Sequence, residues 1–152
     1  MTLLRLWAVS EPNLFQVMPI RTFPGRYASL AEISEFVANS AQEAGLDKKG
    51  VYAVKLAVDE ACTNIIEHGY GGEGDGKIEC SCDIGGDALT IRLRDWGKTF
   101  DPCCVPEPDF DVPLEELQAR GAGLYFMYEL MDTVKFSFHP KKGNLLVMVK
   151  KV

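Results

Sequence analysis

The chain of 152 residues has the size of one domain, and 47% hydrophobic with 25% charged residues is ordinary globular composition, enough to bury a core. A formal charge of -6 with no run of Lys or Arg works against broad attraction to nucleic acid or anionic lipid. No apolar stretch reaches the length of a membrane span, and residues 1–7 lack a basic leader followed by an apolar run. The expected setting is the cytoplasm, and the expected partners are proteins or small molecules. Five cysteines, an odd number without a secretion signal, speak against a disulfide framework. The neighbours Cys103 and Cys104 point in different directions, and neither His68 nor His139 stands at a zinc-like spacing from them.

Residues 3–9 predict a strand, and Phe15 to Phe23 predicts a second extended stretch that Pro19 bends or confines to an edge, because proline removes a ladder donor. Ser29 and Glu32 match a capping box, and Leu30, Ile33, Val37, Ala41 and Ala44 recur at helical spacing until Gly45 ends the first helix. Asp47 suits the start of a second helix that runs to about Gly69. On that helix Val54, Val58, Ala61 and Ile65 form an apolar stripe, while Glu60, Asn64 and His68 follow at four-residue steps on its flank. A carboxylate and an amide one turn apart beside an apolar face could stand at the rim of a pocket. The bland alternative is a solvated flank.

The glycine-rich segment 71–76 predicts a connecting loop, since it fits neither a dinucleotide fingerprint nor a P-loop. Two alternating runs, Lys77 to Ile84 and Ala88 to Arg94, predict a hairpin through Gly85, Gly86 and Asp87, with Leu89, Ile91 and Leu93 inward and Cys80 and Cys82 on the same face as Ile78 and Ile84. The second strand delivers Asp95, Trp96 and Gly97. An aspartate at a strand end followed by a glycine could hold an amine-bearing base, or simply make a turn. Residues 102–120 carry four prolines and exceed a minimal connection, which suggests a lid or mobile loop. Arg120, Gly121, Ala122 and Gly123 open a third helix whose amides could receive phosphate. Residues 133–139 and 145–151 close the chain as a hairpin. The expected fold is α+β: a single domain, 1–152, of two layers, with a mixed and largely antiparallel sheet carrying the helices on one face and residues 1–20 as an extension or strand.

These stretches together resemble the nucleotide-binding boxes of the GHKL superfamily. Glu60 to Asn64 resembles the N box, Asp95 to Gly97 with Phe100 and Asp101 the first glycine box, and Gly121 to Leu124 the second. The nearer resemblance is to the small bacterial anti-sigma-factor serine/threonine kinases, whose pattern is similar to Ala57 to Glu60, Asn64, Glu67, His68 and Tyr70, over residues 20–150. The resemblance implies ATP and Mg2+ as cofactors. Within it Glu60 is the general base, Asn64 holds magnesium, and Asp95 accepts from the adenine amine. Gly97 and Phe100 belong to the base site, Gly121, Gly123 and Leu124 to the phosphate site, and residues 102–120 to the lid. The second glycine box departs from the family pattern, with Arg120 before its glycines and Ala122 between them.

The implied function is phosphorylation of a STAS-type anti-sigma-factor antagonist, with sequestration of a sigma factor in the unengaged state. A nucleotide-dependent binding regulator of the same fold and a plain interaction domain are the alternatives. A histidine kinase fits less well, because nothing upstream resembles a phosphoacceptor helix. The apolar N-terminal strand offers an edge for pairing, and the resemblance likewise implies a homodimer.

Overall fold

A computed structural model describes residues 15–17, 19–99, 101, 111–113, 115–116 and 123–152. The expected strand over 3–9, most of the lid, Phe100, Cys103, Cys104 and Arg120 to Ala122 lie outside the described residues. Strands β1 (Phe15–Val17) and β2 (Arg21–Pro24) both pair antiparallel with β3 (Lys77–Gly85), one extended stretch interrupted near Pro19. β3 pairs with β4 (Ala88–Asp95), β4 with β6 (Gly143–Lys151), and β6 with β5 (Thr133–His139). Every pairing among the described strands is antiparallel.

The period of two along these strands makes the two faces chemically different. Cys80, Leu93, Leu146 and Phe136 stand in register across four strands, as do Cys82, Ile91, Met148 and Val134. These residues belong to, or pack against, the one apolar core. The opposite face carries Glu79 beside Arg94, and an Arg92–Asp83 ion pair. Between β3 and β4 the turn has positive φ at Gly86 (61°) and Asp87 (57°), the backbone that matches the twist of a two-residue hairpin.

Helix α1 (Leu30–Glu43) and helix α2 (Lys48–Asn64) bury Ile33, Val37, Ala41, Val54, Val58 and Ala61 against that face. Helix α3 (Gly123–Leu130) adds Leu124 and Met127, and α2 lies against both α1 and α3. At the start of α2 the Asp47 carboxylate accepts from Gly50 N at 2.7 Å, the expected cap. The capping box at Ser29 does not form. A 3-10 turn, Tyr27–Ser29, already leads into α1, so Ser29 has helical angles (φ -79°, ψ -18°) and its side chain makes no cap bond.

Beyond Asn64 the second helix continues as a π turn, Ile65–Gly69. Such widened turns collect at functional sites because they re-aim the side chains that follow. The glycine loop after it is tied down: Gly72 N donates to Ile66 O at 2.8 Å, Tyr27 N to Glu73 Oε1 at 2.8 Å, and Gly25 N to Gly76 O at 2.7 Å.

Candidate functional site

The C-terminal end of the α2 stripe, the end of β4 and the start of β6 converge on a cavity of about 510 Å³. Asn64, Ile65, His68 and Gly69 come from the α2 end, Asp95 and Lys98 from β4 and its exit, and Asn144 from β6. Met127 and Phe136 supply apolar walls, while the exposed Tyr128 and Phe138 stand at the rim. A cavity of this size with apolar walls and few polar groups has the character of a small-molecule site.

Asp95 is the polar centre of one end. It is 7% exposed, and its Oδ1 accepts from Gly97 N at 2.9 Å and Asn144 Nδ2 at 3.0 Å. Burial lifts its carboxyl above the ordinary aspartate range, and the bonds from Asn144 and Gly97 oppose that rise. Gly97 serves the scaffold. A Cβ there would come within 2.5 Å of Gly69 C, and Lys98 N donates to Gly69 O at 2.7 Å, so the π turn and the β4 exit meet backbone to backbone.

Tyr70 ties the same corner together, since its hydroxyl accepts from Trp96 N at 3.0 Å and donates to Lys77 O at 2.6 Å. Its ring also fills the space where a Cβ on Gly76 would go.

Glu60 sits one turn before Asn64 and is not among the residues that line the cavity. Its carboxylate lies against Gly123, where any Cβ would overlap Oε2. Partial burial raises the Glu60 carboxyl, and the negative charges of Asp59 and Glu67 raise it further. Glu60 and Gly123, far apart in sequence, are therefore in contact.

Of the residues singled out by sequence, Asn64 and Asp95 line the cavity, and Glu60 and Gly123 touch each other. Gly97 packs under the site, Leu124 is buried in the core, and Phe100 and Gly121 lie outside the described residues. The sequence reading missed Asn144. Its signal was the pairing order of the strands, because Asn144 stands directly opposite Asp95 only when the last strand runs beside β4.

Residues 23–150 match the histidine kinase-like ATPase domain. The chain belongs to that family. Among curated relatives of this ATPase-domain protein, the serine-protein kinase RsbW of Listeria monocytogenes serovar 1/2a is 33% identical over 128 residues, which are 82% of this chain and 79% of that protein. The RsbW of Halalkalibacterium halodurans is 30% identical over 146 residues, 93% of this chain and 85% of that one. The RsbW of Bacillus cereus strain AH187 is 31% identical over 131 residues, 84% and 80% respectively.

Within the histidine kinase-like ATPases, the chain thus belongs with the RsbW serine-protein kinases, in line with the nearer resemblance carried by residues 57–70. Among solved structures, the Acinetobacter baumannii histidine kinase AdeS aligns at 12% identity with a TM-score of 0.45, over 88% of this chain and 68% of that one. A likeness of that size carries no functional argument.

Proposed function

We propose that the chain is an ATP-dependent serine/threonine protein kinase that phosphorylates a STAS-type anti-sigma-factor antagonist and sequesters a sigma factor when that antagonist is unavailable. The observation that carries this reading is the contact of Glu60 with Gly123 beside a cavity that holds Asn64 and Asp95. It brings an acid and a glycine of α3 together next to a pocket lined by an amide and a carboxylate.

The residues present fit adenosine triphosphate. A cavity of about 510 Å³ suits a base and sugar, and Asp95 offers an acceptor for an exocyclic amine. Asn64 offers a hard oxygen to magnesium, and the described residues contain no group of three His, Cys, Asp or Glu that would cage a metal. Magnesium commonly keeps water and phosphate oxygens as most of its ligands, so one amide oxygen suffices to orient it.

In this reading Glu60 takes a proton from an incoming serine hydroxyl. A carboxylate lifted by partial burial and by Asp59 and Glu67 is a better proton acceptor than a solvated one, provided that it remains ionised at working pH. On the same reading the backbone amides at the Gly123 end of α3 would receive phosphate, since a helix dipole favours negative charge at that end. The protein would act in the cytoplasm, as a homodimer, and sedimentation velocity would check the second point.

The deciding experiment is phosphate transfer from Mg-ATP to a purified STAS-type antagonist. Glu60→Gln should lower transfer by roughly 10²–10⁴-fold, the range of general base catalysis, while ATP still raises the melting temperature. Unchanged transfer by that variant would remove Glu60 from the role. ATP binding without transfer by the wild type would instead identify a nucleotide-dependent binding regulator.

A further inference from the structure

We infer that Asn144 is the positioning residue of the base end of the cavity: it pins Asp95 and Gly97 through its amide nitrogen, so that the wall presents acceptors and selects a purine with an amino group at C6 over one with a carbonyl there. The inference rests on the nucleotide reading above and names what sets its base selectivity.

The geometry is a two-point clamp. Asn144 Nδ2 donates to Asp95 Oδ1 and to Gly97 O, both at 3.0 Å. Its backbone is delivered there by the strand register, Asp95 opposite Asn144, and by Gly143. Gly143 has φ +80°, and a Cβ on it would overlap Asp95 O, so the strand can start at this point only with glycine.

The amide cannot be turned over. With oxygen and nitrogen exchanged, an acceptor would face two acceptor oxygens. This fixed orientation leaves Asn144 Oδ1 buried and without a partner among the described residues. A buried unpaired acceptor is unfavourable, and an aliphatic residue of similar size would avoid it. The amide is explained by what its nitrogen holds.

The consequence for the cavity follows from donor and acceptor chemistry. Asp95 has both internal bonds on one oxygen, and Asn144 directs its only donor group away from the ligand space. An amine at the corresponding position of the base meets a carboxylate. A carbonyl there would meet that carboxylate as a second acceptor, with no donor from Asn144 to relieve it. Among the described residues, the titratable groups that share the cavity or interact with Asp95 are Cys62 from α2, His68 from the π turn, Tyr70 after it, and Lys98 and Asp101 beyond β4. From β6 the neighbour is Asn144, which does not titrate, so its effect on Asp95 can be read separately from theirs.

The test compares wild type with Asn144→Leu, which removes the donor at similar size, and Asn144→Asp, which replaces it with a second carboxylate. The readouts are the 13C titration of the Asp95 carboxyl without ligand, and calorimetric affinities for ATP and GTP between pH 5 and 8. In both variants Asp95 should titrate at higher pH than in wild type, more so in Asn144→Asp. ATP affinity at pH 7 should fall at least tenfold, its acid limb should move to higher pH, and the preference for ATP over GTP should shrink.

If Asn144→Leu does not fold, Asn144→Ala supplies the same comparison. An Asp95 titration unmoved in the Leu or Ala variant overturns the positioning role. Equal wild-type affinity for ATP and GTP overturns the selectivity. A wild type that binds neither nucleotide rejects the nucleotide reading and the selectivity with it, while the Asp95 titration still decides whether Asn144 positions that carboxylate.

Discussion

Both internal hydrogen bonds of Asp95 end on Oδ1, so an asparagine at 95 can keep them through its carbonyl oxygen while replacing the remaining acceptor with a donor. Asp95→Asn therefore reverses the hydrogen-bonding sign of one atom and removes the carboxylate charge while keeping the internal bonds. For the wild type, ATP at a hundredfold excess over its dissociation constant should add about 2.7 kcal/mol, which for a chain of this length is roughly 5–10 °C in melting temperature. Asp95→Asn should fold normally and lose that increment, as thermal denaturation with and without Mg-ATP would measure. Retention of the full increment would remove Asp95 from the ligand. Glycine 123 offers a complementary case. A methyl group there would displace only the flexible end of Glu60, and alanine is a better helix former than glycine. Gly123→Ala should leave the melting temperature within a few degrees and lower phosphate transfer, a separation visible by assaying both on one preparation.

At the scale of elements, the same residue type has the opposite consequence. A methyl group on Gly97 would meet the backbone of Gly69, which has no side-chain rotamer to yield. Overpacking of this kind costs about 1–3 kcal/mol, so Gly97→Ala should lower the melting temperature by several degrees even without nucleotide. A wild-type melting temperature would show that the π turn can move aside. This close approach also marks the limit of what the sequence discloses. Helical spacing placed Val54, Val58 and Ala61 in the core, strand alternation placed Leu89, Ile91 and Leu93 there, and Asp47 was readable as a cap because capping is local. The box at Ser29 was equally local in form but failed, because a 3-10 turn had already given that residue helical angles. The Gly69–Gly97 contact and the Asn144 clamp are products of tertiary register, and no periodicity in one segment reports on either.

Across the whole molecule, α2 joins stability to the site, since its apolar stripe lies under the sheet and its flank carries Glu60 and Asn64. Three carboxyls in this region, Asp59, Glu60 and Asp95, are lifted chiefly by burial. The sign of the resulting linkage is fixed. A carboxyl whose folded-state pKa exceeds its unfolded value binds more protons in the folded state, so its contribution is fully present below the unfolded pKa and is lost as pH rises through the folded one. Ionising these groups in the folded protein costs free energy that a cationic or hydrogen-donating ligand would offset. Urea denaturation of the ligand-free protein should show these three groups lowering stability as pH rises from about 4 through their folded-state titrations. Asp95→Asn removes one of them. Its denaturation midpoint should exceed that of wild type at pH 7.5, and the difference should narrow as pH falls toward the ordinary aspartate range and Asp95 takes up a proton in the folded and then the unfolded wild type. A constant difference across that range would mean that the variant acts through packing, and that the Asp95 charge is adequately solvated where it stands.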